Sequence, residues 1–258
     1  KYPIPRSHTG LNHIVIYQDP IFYKNGSEEF NEIDLNLDLC EGGSSCIEKG
    51  IYSGRFGNTS KDGINVKMGD YEINLTINSY GFEGSNALYD PRYIKEENND
   101  VPGAYIDHRK MIYENVFNNI SIEYSYGSSG IKEKIILLEK PEEISIECVP
   151  GGQCPVYNPT HFWINNTINF SQNLIPVEVN GAVSFREGGD GTEIFFMPKA
   201  IAKDYNNNAI EVEYEVNGSD IYLILNWTQL LLATYPIYID PTISLESSKD
   251  VADVSFQQ

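Results

Sequence analysis

The chain has 258 residues, which is enough for one large β domain or two smaller lobes, and its 41% hydrophobic content supports a substantial core. Its 37 acidic residues against 18 basic ones give a formal net charge of −19, a field that repels nucleic acid and anionic membranes and attracts cations and basic partners. No run approaches the roughly 18 apolar residues of a membrane helix. We therefore expect neither a nucleic-acid partner nor a transmembrane segment.

Strand patterns recur along the chain. Apolar and polar residues alternate with period two, as in strands with one buried face, over residues 33–39, 73–77, 122–126, 144–148 and 210–216. Turn signals lie between these stretches, among them Asn25-Gly26, Asp62-Gly63, Asn180-Gly181 and Asn217-Gly218. Short strands separated by regular turn signals predict an all-β fold, here an antiparallel β-sandwich architecture with two packed lobes.

The stretch between Gly84 and Gly103 breaks this rhythm. It contains a charge run, two prolines and no alternation, so we interpret it as a long surface excursion between two β lobes. The predicted organisation is an N-terminal β lobe over residues 1–100, a C-terminal β-sandwich lobe over residues 101–245 and a C-terminal tail over residues 246–258.

The four cysteines form two local pairs with the same spacing. Each spacer contains Gly-Gly, which lets a short loop turn tightly and bring the two Cα atoms within disulfide range. We predict the disulfides Cys40–Cys46 and Cys148–Cys154. A four-thiolate zinc site is the rival interpretation, although its ligand spacing is usually shorter. Disulfides indicate an oxidising compartment outside the cytosol.

N-glycosylation sequons are a second sign of an extracellular location. The motif Asn-X-Ser/Thr occurs eight times, where chance would give roughly three matches. The acceptor residues are Asn25, Asn58, Asn74, Asn119, Asn165, Asn169, Asn217 and Asn226. The simpler interpretation is that most are ordinary turn asparagines. Together with the cysteine pairs, the sequons predict a secreted glycoprotein of the cell surface.

Several longer segments resemble one family. They are the ending YPIYIDPTI at 235–243, the stretches at 112–124 and 130–137, and two hairpin-like segments at 17–37 and 200–216. Their pattern, Y-x-N-V-F…G-(I/L)-K-E…Y-P-(V/I)-x-I-D-P-T, is similar to that of a large all-β domain of prokaryotic cell surfaces. That domain precedes disaggregatase-related (DNRLRE) or lectin-like repeats in archaea and RHS or β-propeller repeats in bacteria. The resemblance implies an archaeal surface protein without known catalytic residues; Ser121 departs from the family's usual Asp.

Templates for catalysis are absent from the sequence. It has no His-Glu-x-x-His, Gly-x-Ser-x-Gly, P-loop or dinucleotide-binding pattern, and its four histidines are scattered. We therefore expect no enzymatic activity and no catalytic residues.

One pattern resembles a calcium loop. Oxygen-bearing side chains occupy template positions in the order Asp204, Asn206, Asn208 and Glu215. Ala209 stands where the template needs a glycine for its sharp turn, so a hairpin turn that leads into a glutamate-faced strand is the competing interpretation. We expect no cofactor other than a calcium ion, which this pattern would allow.

The tail predicts how the protein would assemble. Val251, Ala252, Val254 and Phe256 lie in a short alternating stretch beyond the segment 235–243, which should already close the domain. We predict that this strand adds to a sheet of a neighbouring subunit, since head-to-tail strand donation builds a polymer. The competing interpretation is that the tail packs on its own domain or leads into a further module. Residues 12–18 are a second donor candidate.

These inferences favour a non-enzymatic extracellular structural protein, a subunit of a filament, sheath or surface layer assembled by strand exchange. The alternative is an adhesion or glycan-binding module of a larger surface protein; an exposed aromatic platform built on Trp163 or Trp227, the only tryptophans, would favour it. A third interpretation is a fragment of a polysaccharide-acting enzyme that resembles disaggregatase.

Overall fold

The structure is a computed structural model, and it describes eleven stretches of the chain. They are residues 22–24, 30–32, 36–40, 44–47, 52–84, 92–107, 109–127, 130–142, 158–171, 173–189 and 191–244.

Nearly all regular structure in these stretches is β-strand. The strands are β1 Phe22–Lys24, β2 Phe30–Glu32, β3 Asp38–Leu39, β4 Ser45–Ile47, β5 Ser53–Phe56, β6 Ile64–Met68, β7 Tyr71–Gly84, β8 Arg92–Glu97, β9 Gly103–Asp107, β10 Lys110–Phe117, β11 Ile120–Gly127, β12 Gly130–Leu137, β13 Pro159–Phe170, β14 Leu174–Val179, β15 Ala182–Glu187, β16 Glu193–Met197, β17 Ile201–Lys203, β18 Ala209–Ile210, β19 Val212–Asn217, β20 Asp220–Asn226, β21 Ile237–Asp240 and β22 Thr242–Ser244. One short helix, α1, spans Trp227–Leu232, and the side chain of Asn226 caps it by accepting from the Gln229 N–H at 3.1 Å.

Two large antiparallel sheets make up the fold. Sheet 1 has the order β19-β20-β13-β7-β6-β5-β4-β3, with β8 beside the second half of β7. Sheet 2 has the order β14-β15-β16-β22-β12-β11-β10-β9. Its strand β12 pairs with β22 through Gly130–Lys132 and with β21 through Ile135–Leu137, and β21 then pairs with β17, the partner of β18. The predicted all-β sandwich is confirmed.

One hydrophobic core joins the two sheets. Phe56 of sheet 1 lies 5.8 Å from Tyr124 and 4.5 Å from Tyr126 of sheet 2, measured between ring centroids. Tyr80 of sheet 1 meets Phe117 of sheet 2 edge-on at 5.2 Å. All five rings are at most 5% exposed, and burying a large side chain of this kind stabilises the fold by roughly 1.5–3 kcal/mol. Aromatic contacts therefore join the two sheets within a core that is otherwise mostly aliphatic.

The alternation marks the buried face correctly in the strands that it predicted. In β7, Ile73, Leu75 and Ile77 are buried while Asn74 and Thr76 between them are only half-buried. The hairpin at Asn180-Gly181 has positive φ at both residues, 55° and 79°, as a tight two-residue turn requires. The predicted strand at 144–148 and residues 33–35 of the stretch at 33–39 lie outside the described residues.

The surface excursion predicted before Gly103 is partly wrong. β8 lies in it and pairs with β7. The reason lies in the length of β7: β6 covers only Tyr71–Leu75, so the backbone at Ser79–Glu83 needs another strand partner, and β8 supplies it.

Sheet 1 draws on both predicted lobes, whereas the strands of sheet 2 all lie within residues 101–245. Sheet 1 contains β3 to β8 from the first hundred residues, but β13 returns to pair with β7 from Pro159 to Phe170. β19 and β20 extend the same sheet beyond β13. The division into lobes over 1–100 and 101–245 stays a prediction.

Candidate functional site

A polar cleft of about 430 Å³ opens on sheet 1. Its lining residues are Ser44, Arg55, Gly57, Asn58, Asp62, Gly63, Asn65, Glu72 and Asn74. They come from β5, β6 and β7, from the residue that precedes β4, and from the turn at 57–63. The lining contains no aromatic or aliphatic side chain, so the cleft offers hydrogen bonds rather than apolar contact.

Strand register builds the floor of this cleft. Arg55 of β5 lies opposite Cys46 of β4 on one side and opposite Asn65 of β6 on the other. Asn65 in turn lies opposite Asn74 of β7, and Asn74 opposite Asn169 of β13. Because side chains of directly paired residues share a face, four strands contribute one continuous row of polar side chains across sheet 1.

Hydrogen bonds hold both carboxylates of the cleft. The Asn65 Nδ2 donates to Glu72 Oε1 at 2.6 Å, and the Thr59 backbone N–H donates to Asp62 Oδ2 at 3.0 Å. The turn is closed by the Gly57 N–H, which donates to the Gly63 carbonyl at 2.8 Å. Each carboxylate is thus positioned through one oxygen, and a ligand can approach the other.

Two buried polar atoms in the cleft have no hydrogen-bond partner in the described part of the chain. They are Ser44 Oγ and Asn74 Oδ1. The whole Ser44 residue is only 8% exposed. A buried polar atom left unpaired costs about 1–3 kcal/mol, so the cleft carries unused hydrogen-bonding capacity at its base.

The disulfide Cys40–Cys46 brackets Ser44, one of the residues that line the cleft. Its Cα atoms are 6.0 Å apart, and the Cys40 N–H donates to the Ser44 carbonyl at 2.8 Å within the same loop. The first predicted cysteine pairing is therefore confirmed, and it holds Ser44 in place beside β4. Cys148 and Cys154 lie outside the described residues, and their pairing stays a prediction.

A buried carboxyl forms a second polar feature, in the core between the sheets. Glu133 of β12 is 1% exposed. The Tyr124 hydroxyl donates to its Oε1 at 2.8 Å. Burial raises the pKa of Glu133 to about 8; the nearby Asp240 adds to the rise, and the Tyr124 hydrogen bond opposes it. Glu133 is therefore a neutral acid below that pH.

Tyrosines surround this carboxyl. Burial and the proximity of Glu133 raise the pKa values of Tyr124 and Tyr214 well above the usual value. The Tyr214 hydroxyl, which comes from β19 of sheet 1, is buried without a partner among the described residues. Glu133 is not among the predicted site residues, although the sequence carries a signal for it: Glu133 occupies the apolar phase of β12 between Ile131 and Ile135.

Seven of the predicted sequons lie in the described part of the chain, and Asn25 lies outside it. Asn58, Asn169 and Asn217 are exposed. The half-buried acceptors are Asn74, Asn119, Asn165 and Asn226. Asn74 points away from the core, as its place in the alternation predicted, but it lines the cleft with its Oδ1 buried. That at least half of the eight sequons carry glycans stays a prediction.

The calcium-like residues do not meet at one place. Asp204 and Asn208 lie in the β17–β18 turn, where Asp204 Oδ1 accepts from the Asn208 N–H at 2.8 Å and Oδ2 from the Asn208 Nδ2 at 2.9 Å. Asn206 lies in the same turn and donates to the Thr234 hydroxyl at 3.0 Å. Glu215 lies in β19, a strand of the other sheet.

The Asn208 side-chain hydrogen bond is the main cause that lowers the pKa of Asp204. This geometry favours the hairpin turn over the calcium loop. In the stretches that the structure describes, no group of three or more acidic, histidine or cysteine side chains could hold a metal ion.

Neither tryptophan forms an exposed aromatic platform. Trp163 is 2% and Trp227 4% exposed. Trp163 packs edge-on against Tyr222 and Trp227 against Phe82, at 5.6 and 5.0 Å between ring centroids.

The remaining predicted features lie partly beyond the described residues. The assembly strand with Val251, Ala252, Val254 and Phe256 and the second donor at 12–18 are both outside them. Among the described stretches, no helix is long and apolar enough to cross a membrane.

Comparison with protein-family models, with curated proteins and with solved structures finds no match to this chain. The resemblance to the prokaryotic surface domain therefore stays a prediction from the motifs at 112–124, 130–137 and 235–243.

Proposed function

We propose that this chain is a non-enzymatic extracellular structural protein, a subunit of a filament, sheath or surface layer that assembles by strand exchange. The observation that carries the proposal is the edge strand β9 of sheet 2. Among the described strands only β10 pairs with β9. Its Ile106 is 50% exposed, so an incoming strand would gain both main-chain hydrogen bonds and an apolar contact.

The disulfide supports the extracellular part of this proposal. Cys40 and Cys46 are joined across a short loop, and such bridges persist in oxidising compartments. The shared core fits a structural subunit, because Phe56 of sheet 1 packs against Tyr124 and Tyr126 of sheet 2 and so joins the two sheets.

The test combines truncation with a change at the edge. Protein shortened after Leu245 should stay folded and fail to polymerise in negative-stain micrographs, because the donor strand is gone. The Ile106→Lys variant should fail in the same way, since a charge on an edge strand opposes strand addition. Ile201→Lys is the matched control: Ile201 is 57% exposed but lies in β17, which already has two strand partners. Unimpaired assembly of the shortened protein would exclude the tail as donor.

A second candidate function is favoured by the polar cleft. We propose it as the alternative: an adhesion or glycan-binding module of a larger surface protein. Ligand sites are typically concave, and converging polar groups in them fix the orientation of the ligand. Binding of the labelled chain to intact cells or to purified surface polysaccharide would support this alternative, and failure to bind either would remove it.

A further inference from the structure

The cleft on sheet 1 has a balanced set of donors and acceptors. Arg55, exposed at the opening, offers guanidinium donors, while Asp62 and Glu72 each keep one carboxylate oxygen outside their hydrogen bonds to Thr59 and Asn65. At the base, Ser44 Oγ and Asn74 Oδ1 are buried without a partner in the described residues. The Ser44 hydroxyl can both donate and accept, whereas the Asn74 amide oxygen can only accept.

Charge decides which polar ligands fit. One guanidinium and two carboxylates give the lining a formal net charge of −1, and the chain as a whole carries a formal charge of −19. Phosphorylated and other polyanionic ligands are therefore repelled. A metal cation is disfavoured too, because Arg55 belongs to the same row as Asn65 and Asn74.

The size and surface chemistry of the cleft further restrict the class of ligand that it can bind. A volume of about 430 Å³ lies at the lower end of the range for small-molecule sites, roughly 300–1,000 Å³. Because the lining has no aromatic or aliphatic side chain, an apolar ligand would gain no contact there. A small neutral molecule with several hydroxyl groups matches every requirement.

We propose that this cleft binds a neutral saccharide, with Arg55, Asp62 and Glu72 holding adjacent hydroxyls and Ser44 and Asn74 satisfied from the base. This inference rests on the binding-module alternative and names its site and ligand class. Without aromatic stacking, affinity for one saccharide unit should be about millimolar. An assembled array would raise the effective affinity through multivalency.

The saccharide could come from two sources. Asn58 and Asn74 line the cleft and are also glycosylation acceptors, so a glycan attached to Asn58 could fill the cleft of its own chain. A free or cell-attached saccharide is the other source. The hydrogen-bonding chemistry is the same for both, and the experiment separates them by glycosylation state.

The experiment uses the whole chain in unglycosylated form, titrated by NMR with maltose, cellobiose, lactose and N,N′-diacetylchitobiose. We expect at least one disaccharide to shift the Asn74 and Asn65 side-chain amide signals. Arg55→Met should weaken that binding about tenfold, because a charged hydrogen bond is lost. Lys203→Met removes the same charge from an exposed strand position of sheet 2 and should leave binding unchanged.

Several outcomes separate this inference from the binding-module function itself. If no disaccharide shifts the cleft signals, the saccharide site is refuted, whereas the module could still bind polysaccharide elsewhere. If a sugar binds but Arg55→Met leaves its affinity intact, the site is also refuted while the function stands. If glycosylated protein binds the disaccharide only after enzymatic removal of its glycans, the cleft takes a saccharide and its own glycan is the native occupant.

Discussion

The buried carboxyl of Glu133 should make the stability of this protein depend strongly on pH. Burial raises its pKa from 4.5 to about 8. At about 1.4 kcal/mol per pH unit, this shift corresponds to about 5 kcal/mol of unfolding free energy. Small domains are stable by about 5–15 kcal/mol in total, so one side chain controls a large share of the stability.

The direction of the effect follows from proton binding. Between pH 4.5 and pH 8 the unfolded chain has released the Glu133 proton, while the folded chain retains it. The unfolded state therefore binds fewer protons in this window, and the stability falls as the pH rises through it. Above about pH 8 the folded protein holds a buried carboxylate, and the loss is complete.

The test is the Glu133→Gln variant. Glutamine keeps an oxygen that can accept from the Tyr124 hydroxyl and stays neutral at every pH. Unfolding by urea, followed by tryptophan fluorescence at pH 5, 7 and 9, gives the free energy of unfolding of both proteins. The variant should gain about 4 kcal/mol relative to the wild type between pH 5 and pH 9, because the measured range begins just above the unfolded-state pKa of 4.5.

Because each variant is compared with the wild type at the same pH, the contributions of the other titrating groups to the pH dependence cancel. Glu213→Gln provides the matched control, because it makes the same substitution at an exposed position of β19, and it should not reproduce the gain expected of Glu133→Gln. A difference between wild type and Glu133→Gln that stays constant from pH 5 to 9 would refute the account of Glu133 as a buried neutral acid. In the Tyr124→Phe variant the free energy of unfolding should continue to fall up to a higher pH than in the wild type, since the hydrogen bond that lowers the Glu133 pKa is gone.

Three further predictions concern the backbone and covalent structure. Gly130→Ala should destabilise the protein by more than about 2 kcal/mol, because Gly130 has φ of 152° and an added Cβ would meet the Ile243 carbonyl. Gly127→Ala is the control, since a Cβ added there has its nearest contact at 3.6 Å. Equal changes in melting temperature for the two variants would contradict the reasoning. Replacing Cys40 and Cys46 together by serine should lower the unfolding free energy by about 2 kcal/mol, and non-reducing peptide mapping should recover the linked peptide. Intact-mass analysis of native protein should show glycans on at least half of the eight sequons; a mass equal to the bare polypeptide would refute this.

Periodicity explains which parts of the fold could be predicted. The alternation of Ile73, Asn74 and Leu75 specifies strand type and the buried face, because both depend only on neighbours in the chain. It does not specify the partner strand. β7 pairs with β13, and the bond from Asn78 to Thr167 spans 89 residues. Such pairings depend on the packing of the whole sheet.

The cleft could not be predicted from the sequence for the same reason. Arg55, Asn65 and Asn74 occupy outward positions of three different strands, and each alone looks like an ordinary solvent-facing residue. Only the register places them in one row. Glu133, in contrast, could have been found, because a charged residue in the apolar phase between two isoleucines predicts burial.

The turn at 57–63 links the cleft to the edge at which we expect assembly. Asn58 lines the cleft, and its carbonyl accepts from the Gly103 N–H at 2.9 Å, at the start of β9. The Ser60 N–H also donates to the Val101 carbonyl at 2.8 Å.

A ligand that orders this turn also orders the beginning of the β9 edge, and a strand added to β9 stabilises the wall of the cleft. Because such coupling must be reciprocal, saccharide affinity should be higher in the polymer than in the subunit, beyond the gain from multivalency. Equal affinity of polymer and subunit for a monovalent disaccharide would show that the turn does not transmit the effect.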